Sequence, residues 1–389
     1  MKISVKLTVC LLISLLLFVC TAIGEEAQDI TALAKYSAVP EIDPANSLCD
    51  ERHRTVWSSR RGYLEITLPE EEPCHGVFIC FGDCEAACEV QIFDGETFVP
   101  YRRITDEGIA HRFVDLPGVT FFRIVPVSEN SIMKISELRL IGEGSIPSFV
   151  QLWEPPLEKA DLMVITAHPD DEYIWFGGTI PYYGTERKKA IQVVTMTCMN
   201  FIRRSELLDA LWTGGIRNYP VIGPFTDDKA QDTVSATNKW GGSARIRGWI
   251  VNMIRTFRPD VVLTHAKNGE YGHPAHCVTS RCVQQSFSLA ADETYETENG
   301  TEVWQIRKGY THHADGSDPV TIGWDQPLNA FDGKTSFEVA SEALLKHRSQ
   351  HPLSQQMEQK GRYDCRLFDL VYTTVGDDTL KNDLFENIQ

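Results

Sequence analysis

The sequence has little positive charge for its size: 37 Lys and Arg stand against 54 Asp and Glu, a formal net charge of −17 over 389 residues. A nucleic-acid backbone is held by a basic footprint, and its absence argues against a nucleic-acid partner. Long apolar runs are missing after the first 24 residues, so no later segment is expected to cross a bilayer. Internal repeats and low-complexity tracts are missing too. With 42% hydrophobic residues the chain is long enough for two domains with sizeable cores.

What is present begins with MKISVKLTVCLLISLLLFVCTAIG, in which Lys2 and Lys6 precede an apolar run from Leu7 to Val19. Ala22 and Gly24 occupy the −3 and −1 places of a cleavage site before Glu25. This is the form of a signal peptide over residues 1–24, and it implies a secreted or extracytoplasmic protein with no membrane span after cleavage. An uncleaved anchor is the alternative, while bulky Val19 before Cys20 weighs against a lipoprotein. Of the 11 cysteines, Cys10 and Cys20 fall in this leader. Cys74, Cys80, Cys84 and Cys88 cluster, with Cys49 upstream, and in an exported chain that reads first as disulfides and second as a zinc knot. Cys277 and Cys282 fall in an expected helix, packed rather than bridged.

A polar N-terminal segment (25–46) leads into residues 47–146, where YLEITL, GVFICF, CEVQIF, TFFRIV and SELRLIG follow one another with turn clusters such as DGET between some of them. This period-two patterning predicts an antiparallel β-sandwich. Its closing stretch, FFRIVPVSENSIMKISELRLIGEG, resembles the end of discoidin-like, galactose-binding-like domains. That resemblance implies the fold, and leaves a glycan ligand and a ligand-free packing role as alternatives. Pro147, Pro155 and Pro156 mark a linker over 147–159.

Over residues 160–385 the pattern becomes α/β. DLMVIT, IQVVTMT and DVVLTH are the continuous apolar runs of parallel strands buried on both faces. FIRRSELLDALWTGG and SARIRGWIVNMIRTFRPD read as amphipathic helices, the first stopped by two glycines and the second ending before Pro259. The expected architecture is a mostly parallel sheet with helices on both faces, which binds ligands at the carboxyl ends of its strands.

Two clusters of ionisable residues fall at such ends. His168-Pro169-Asp170-Asp171-Glu172 follows DLMVIT, and THAKNGEYGHPAHCV, with His265, Glu270, Tyr271, His273 and His276, follows DVVL. His168 and Asp171 are three apart, as are His273 and His276, and Pro274 suits the first turn of a helix that would point the second pair into one cleft. Two histidines and a carboxylate are a usual ligand set for catalytic zinc, which lowers the pKa of a bound water to about 7. A neighbouring carboxylate can take the water's proton, and a further histidine can face the developing oxyanion. Spacing does not say which of Asp170 and Asp171 binds the metal.

These motifs resemble the PIG-L/LmbE family of zinc-dependent N-deacetylases, whose signatures are A-H-P-D-D-E and, later, G-H-P-D-H. The resemblance runs over roughly residues 160 to 375 and includes DVVLTH and the stretch EALLKHRSQHP, read as a helix. It implies a Rossmann-like sheet, zinc held by His168, Asp171 and His276, and Asp170 as general base. It further implies that His273 stabilises the oxyanion and protonates the leaving amine, with Tyr271 near the reacting carbonyl, and that the substrate is an N-acetylglucosamine-type saccharide or glycoconjugate. No organic cofactor is implied. Ala275 replaces the acid expected between the last two histidines, which should lower the pKa of His273 unless another acid, with Glu270 the candidate, substitutes. TMTCMNFIRRSE lacks the family's usual glycine-containing loop, so the substrate-facing wall is not carried over.

Arg203 and Arg204 are either substrate contacts or a solvated helix face paired with Glu206 or Asp209. Trp175 and Phe176 are read as core, Glu172 as a brace for the loop, and His312, His313 and His347 as candidates to border the pocket. Asn299-Gly300-Thr301 is a glycosylation acceptor if the compartment allows. Two rival functions remain: a carbohydrate-binding protein whose catalytic centre is weakened at Ala275, and a metal hydrolase acting on another bond, such as a phosphoester.

Overall fold

A computed structural model of the chain describes residues 25–388, except 42, 44–46, 83–86, 106–107, 128–131, 298, 315–317 and 351–356. The expected leader and Cys84 lie outside the described residues.

The N-terminal region forms two antiparallel sheets. One has the order β1 (Lys35–Ala38), β3 (Leu64–Thr67), β8 (Phe121–Pro126), β5 (Cys88–Phe93), β6 (Phe98–Ile104). The other runs β2 (Trp57–Ser59), β9 (Met133–Ile141), β4 (Cys74–Phe81), β7 (His111–Val119). Alternate residues of facing strands, among them Leu64, Ile66, Phe122 and Ile124 against Val77, Ile79, Leu138 and Leu140, close the core. Each such aliphatic side chain contributes about 1.5–3 kcal/mol when fully buried. β1 comes from the polar N-terminal segment and pairs with β3, Lys35 opposite Thr67, so that segment supplies an edge strand.

Two features differ from expectation. All eight described cysteines are unbridged thiols, which corrects the disulfide reading for Cys49, Cys74, Cys80 and Cys88. Cys74, for one, donates to the Gly76 carbonyl. Strand β4 is also buried on both faces. Val77 and Ile79 enter the sandwich core, while Phe78 and Cys80 face a smaller cluster with Ile141 and Val150. Ala27 from the N-terminal segment and Val150 from the connection cover that second face, which explains why GVFICF reads as an unbroken apolar run.

In the α/β unit the order is β12 (Val221–Phe225), β11 (Ile191–Thr197), β10 (Leu162–Thr166), β13 (Val261–Thr264), β14 (Lys308–His312), β16 (Leu367–Thr373), β15 (Val320–Thr321). The first five pair in parallel, and β16 alone runs the other way, antiparallel to both β14 and β15. Successive residues of β10 serve opposite cores: Leu162 and Val164 pack on one face, Met163 and Ile165 on the other. A single-turn helix α1 (Asp171–Ile174), α2 (Phe201–Thr213) and α6 (Ser336–Leu344) cover the first face. Helices α3 (Thr233–Lys239), α4 (Ser243–Phe257) and α5 (Pro274–Ala290) cover the second. Asn200 caps α2 by accepting the Arg203 N–H at 3.1 Å, and α4 stops at left-handed Arg258 before Pro259. In the stretch EALLKHRSQHP the α-helix α6, which begins at a Thr335–Glu338 capping box, ends at Leu344, and a short 3-10 turn follows at Arg348–Gln350. No helix among the described residues is long and apolar enough to cross a membrane.

Candidate active site

Strand β10 lies between β11 and β13, so the chain leaves it toward one side of the sheet and leaves β13 toward the other. At that reversal the loops following both strands border a single crevice. His168 Nδ1 lies 3.2 Å from Asp171 Oδ2 and 3.2 Å from His276 Nε2, and His276 Nε2 lies 3.3 Å from Asp171 Oδ1. All three side chains are buried. Two imidazole nitrogens turned on one another beside a carboxylate form a donor set that fits a divalent cation. Burial lowers the pKa of His276, but Asp171 and Glu270 outweigh it and carry the imidazole up to about 10.

The surrounding contacts fix each donor. Trp175 Nε1–H donates to Asp171 Oδ1 at 3.0 Å and the His168 N–H to Asp171 Oδ2 at 2.8 Å. Glu270, buried and in a left-handed turn (φ 61°), faces His276 Nδ1 at 2.7 Å through Oε2. Its Oε1 faces His265 Nδ1 at 3.2 Å and accepts the Ala266 N–H at 2.9 Å. Glu270 therefore orients His276 and His265 and does not substitute for the missing acid beside His273. His265 Nε2 lies 3.3 Å from Asp171 Oδ2 but already accepts the Ala167 N–H at 2.9 Å, which commits its lone pair. His168 Nε2 faces Asp227 Oδ1 at 3.6 Å.

His273 caps α5, with its ring 4.8 Å from that of His168 and 4.4 Å from that of His276. Its Nδ1 is buried without a hydrogen-bond partner. Burial, then His276 and His168, push it down to about 3. Asp170 adopts φ 107°, and its N–H donates to Glu172 Oε2 at 2.8 Å. The other Glu172 oxygen faces His347 Nε2 at 2.8 Å, a fully buried pair that braces this left-handed backbone. Burial and the adjacent Asp171 raise Asp170 to about 7 against the pull of Arg203.

Neither arginine lines the small cavity beside His168 and His273, although Arg204 lines another with Cys198 and Asn200. Arg203 is 7% exposed; one terminal nitrogen meets Asp170 Oδ2 at 3.0 Å and the other Asp227 Oδ2 at 2.8 Å, so its partners are not Glu206 or Asp209. Arg204 donates to the carbonyls of Phe81 and Gly82 in the sandwich at 3.1 and 3.2 Å. Each arginine donates to protein acceptors through its terminal nitrogens, while the Nε of each is buried without a hydrogen-bond partner. A cavity of about 200 Å³ beside His168 and His273 is walled instead by Asp227, Asp228, Lys229, Lys239 and Trp240. Tyr271 is 46% exposed with its ring 5.8 Å from that of His273. His312 lies 3.6 Å from Glu270, whereas His313 pairs with Asp369 on β16. Trp175 and Phe176 are buried.

The segment holding this crevice, residues 163–287, matches the family profile PIG-L, described as GlcNAc-PI de-N-acetylase. This segment is a PIG-L family domain. It contains His168, Asp171 and His276 but none of the antiparallel sandwich. The chain is 28% identical over 228 residues to a 1D-myo-inositol 2-acetamido-2-deoxy-alpha-D-glucopyranoside deacetylase of Saccharopolyspora erythraea, covering 48% of this chain and 82% of that one. It is 26% identical over 242 residues to the mycothiol S-conjugate amidase of Streptomyces coelicolor, covering 49% and 82%. Among solved structures, a family 32 carbohydrate-binding module from C. perfringens NanJ, in complex with galactose, is similar at 16% identity and a TM-score of 0.24, over 30% of this chain and 98% of that one.

Proposed function

We propose that the chain is an exported zinc-dependent hydrolase that removes the acetyl group from an N-acetylglucosamine-type saccharide or glycoconjugate. The observation that carries this reading is the convergence of His168, Asp171 and His276 at the crevice of a PIG-L domain. It is supported by two relatives that are by name a deacetylase of a 2-acetamido sugar and an amidase. Bound there, zinc would act as a Lewis acid on the acyl oxygen and acidify a water.

The chain's own groups supply the rest. Asp170 accepts the proton of the attacking water, with Arg203 fixing its carboxylate. His273 donates a hydrogen bond to the acyl oxygen. Among the described residues no carboxylate lies within ion-pair distance of His273, so the proton needed by the departing amine is assigned to Asp170, which holds it from the first step. The C–N bond then breaks to give the free amine and acetate. Export is assigned to the leader at residues 1–24, and glycan tethering to the sandwich.

A panel of N-acetylated saccharides assayed for acetate, with and without a chelator, tests the reading. Release that is abolished by chelation and restored by zinc is expected. Saccharide binding without acetate release in zinc-supplied protein would instead establish the weakened, carbohydrate-binding reading that Ala275 favours.

A further inference from the structure

A second set of metal-type donors is buried where the sandwich meets the PIG-L domain. His53 precedes β2, Cys80 lies on β4 and His111 opens β7, and one ligand atom from each lies within 4.8 Å of the others. All three are at most 8% exposed.

Both imidazoles are already oriented from behind. His53 Nε2 lies 2.9 Å from Asp209 Oδ2, and His111 Nδ1 lies 2.7 Å from Gln151 Oε1. The amide orientation of Gln151 is set because its nitrogen donates to Asp209 Oδ1 at 2.6 Å while its oxygen accepts Trp153 Nε1–H at 2.8 Å. Oxygen acceptors require a proton on the facing nitrogen, so in the neutral imidazoles the lone pairs fall on His111 Nε2 and His53 Nδ1. His111 Nε2 is buried and has no hydrogen-bond partner. His53 Nδ1 has Ser136 Oγ at 3.3 Å, but that hydroxyl donates to the Cys80 carbonyl at 3.1 Å. Buried acceptors left without donors are costly. A cation would satisfy both nitrogens, and an N–H held by a carboxylate or amide oxygen is the usual backing of a metal-bound histidine.

We propose that His53, Cys80 and His111 bind a thiophilic d-block cation, of the zinc or copper(I) class, that fastens the sandwich to the PIG-L domain. One thiolate with two imidazoles selects that class over calcium or magnesium, which take oxygen ligands. The Cys80 thiol gives its proton to solvent on binding. A cavity of about 620 Å³ reaches His53, Cys80, Gln151 and Asp209 and provides an entry path. The two backing groups are not sandwich residues: Asp209 lies on α2 and Gln151 follows β9 in the connection between the units. Cation binding would therefore draw on groups from both sides of the junction.

Metal-free full-length protein titrated with cobalt(II) separates this site from the catalytic one, whose proposed ligands include no thiolate. The wild type is expected to take up two equivalents and to show a thiolate-to-cobalt charge-transfer band. Cys80→Ser should lose the band and one equivalent while retaining the other. Asp171→Ala should keep the band and lose the other equivalent, so failure of either site is read independently, even if Cys80→Ser does not fold. Absence of the band in cobalt-saturated wild type, its survival in Cys80→Ser, or a disulfide at Cys80 would overturn the proposal.

Discussion

Replacing Glu270 by glutamine should loosen the catalytic metal site without touching a proposed ligand. The carboxylate faces His276 Nδ1 through one oxygen, and His265 Nδ1 and the Ala266 N–H through the other. Glutamine keeps only one acceptor oxygen. Whichever way the amide turns, its NH2 group confronts either His276 or the His265–Ala266 pair. In the first case the His276 proton is driven to Nε2, the atom that faces His168 and the cation. Loss of such an outer partner costs about 10–100-fold in metal affinity, or about 1.4–2.8 kcal/mol. Competition against a chromophoric zinc chelator measures the change, with circular dichroism confirming the fold. Unchanged zinc affinity in folded Glu270→Gln would refute the reasoning, since the carboxylate would then not be orienting His276.

Asp170→Asn should bind zinc normally yet release acetate about 10²–10⁴-fold more slowly, the range for a lost general base; turnover within a few-fold of wild type would remove Asp170 from that role. Arg204→Ala takes away the bonds to Phe81 and Gly82, so a stability loss of about 1 kcal/mol is expected in a denaturant titration. KM should not move; a marked rise would return Arg204 to the substrate. Glu386 accepts the Leu380, Thr379 and Lys381 N–H groups, which lower its carboxyl to about 2. A depressed folded value means that this contribution is full above the unfolded value of about 4.3 and is lost as pH falls through about 2. Those three amides should therefore exchange faster in Glu386→Gln than in wild type near neutrality. The difference should close on acidification; a difference that grew would contradict the assignment.

Much of the fold was readable because burial leaves a periodic trace. IQVVTMT and DVVLTH give two parallel strands, and SARIRGWIVNMIRTFRPD gives a helix from Ser243 to Phe257, since each carries an unbroken apolar run or stripe. Strand β12 was not legible: VIGPF contains Gly223 and Pro224, which mask its pattern, and with it went Asp227, the acid facing His168. The three proposed ligands were legible because the chemistry requires them close together in two short motifs. Their supports were not. His347 meets Glu172 and Trp175 meets Asp171 through side-chain contacts that only the packed fold creates. The placing of Arg203 and Arg204 was not legible for a related reason. Adjacent on one helix, they point to different partners, one into the PIG-L crevice and one across to the sandwich.

Anomalous scattering at the zinc edge from zinc-loaded crystals tests the central claim most directly. The account predicts a peak about 2.0–2.2 Å from one nitrogen each of His168 and His276 and from an Asp171 oxygen. Those three side chains ordered around a crevice with no peak, in protein saturated with zinc, would contradict it.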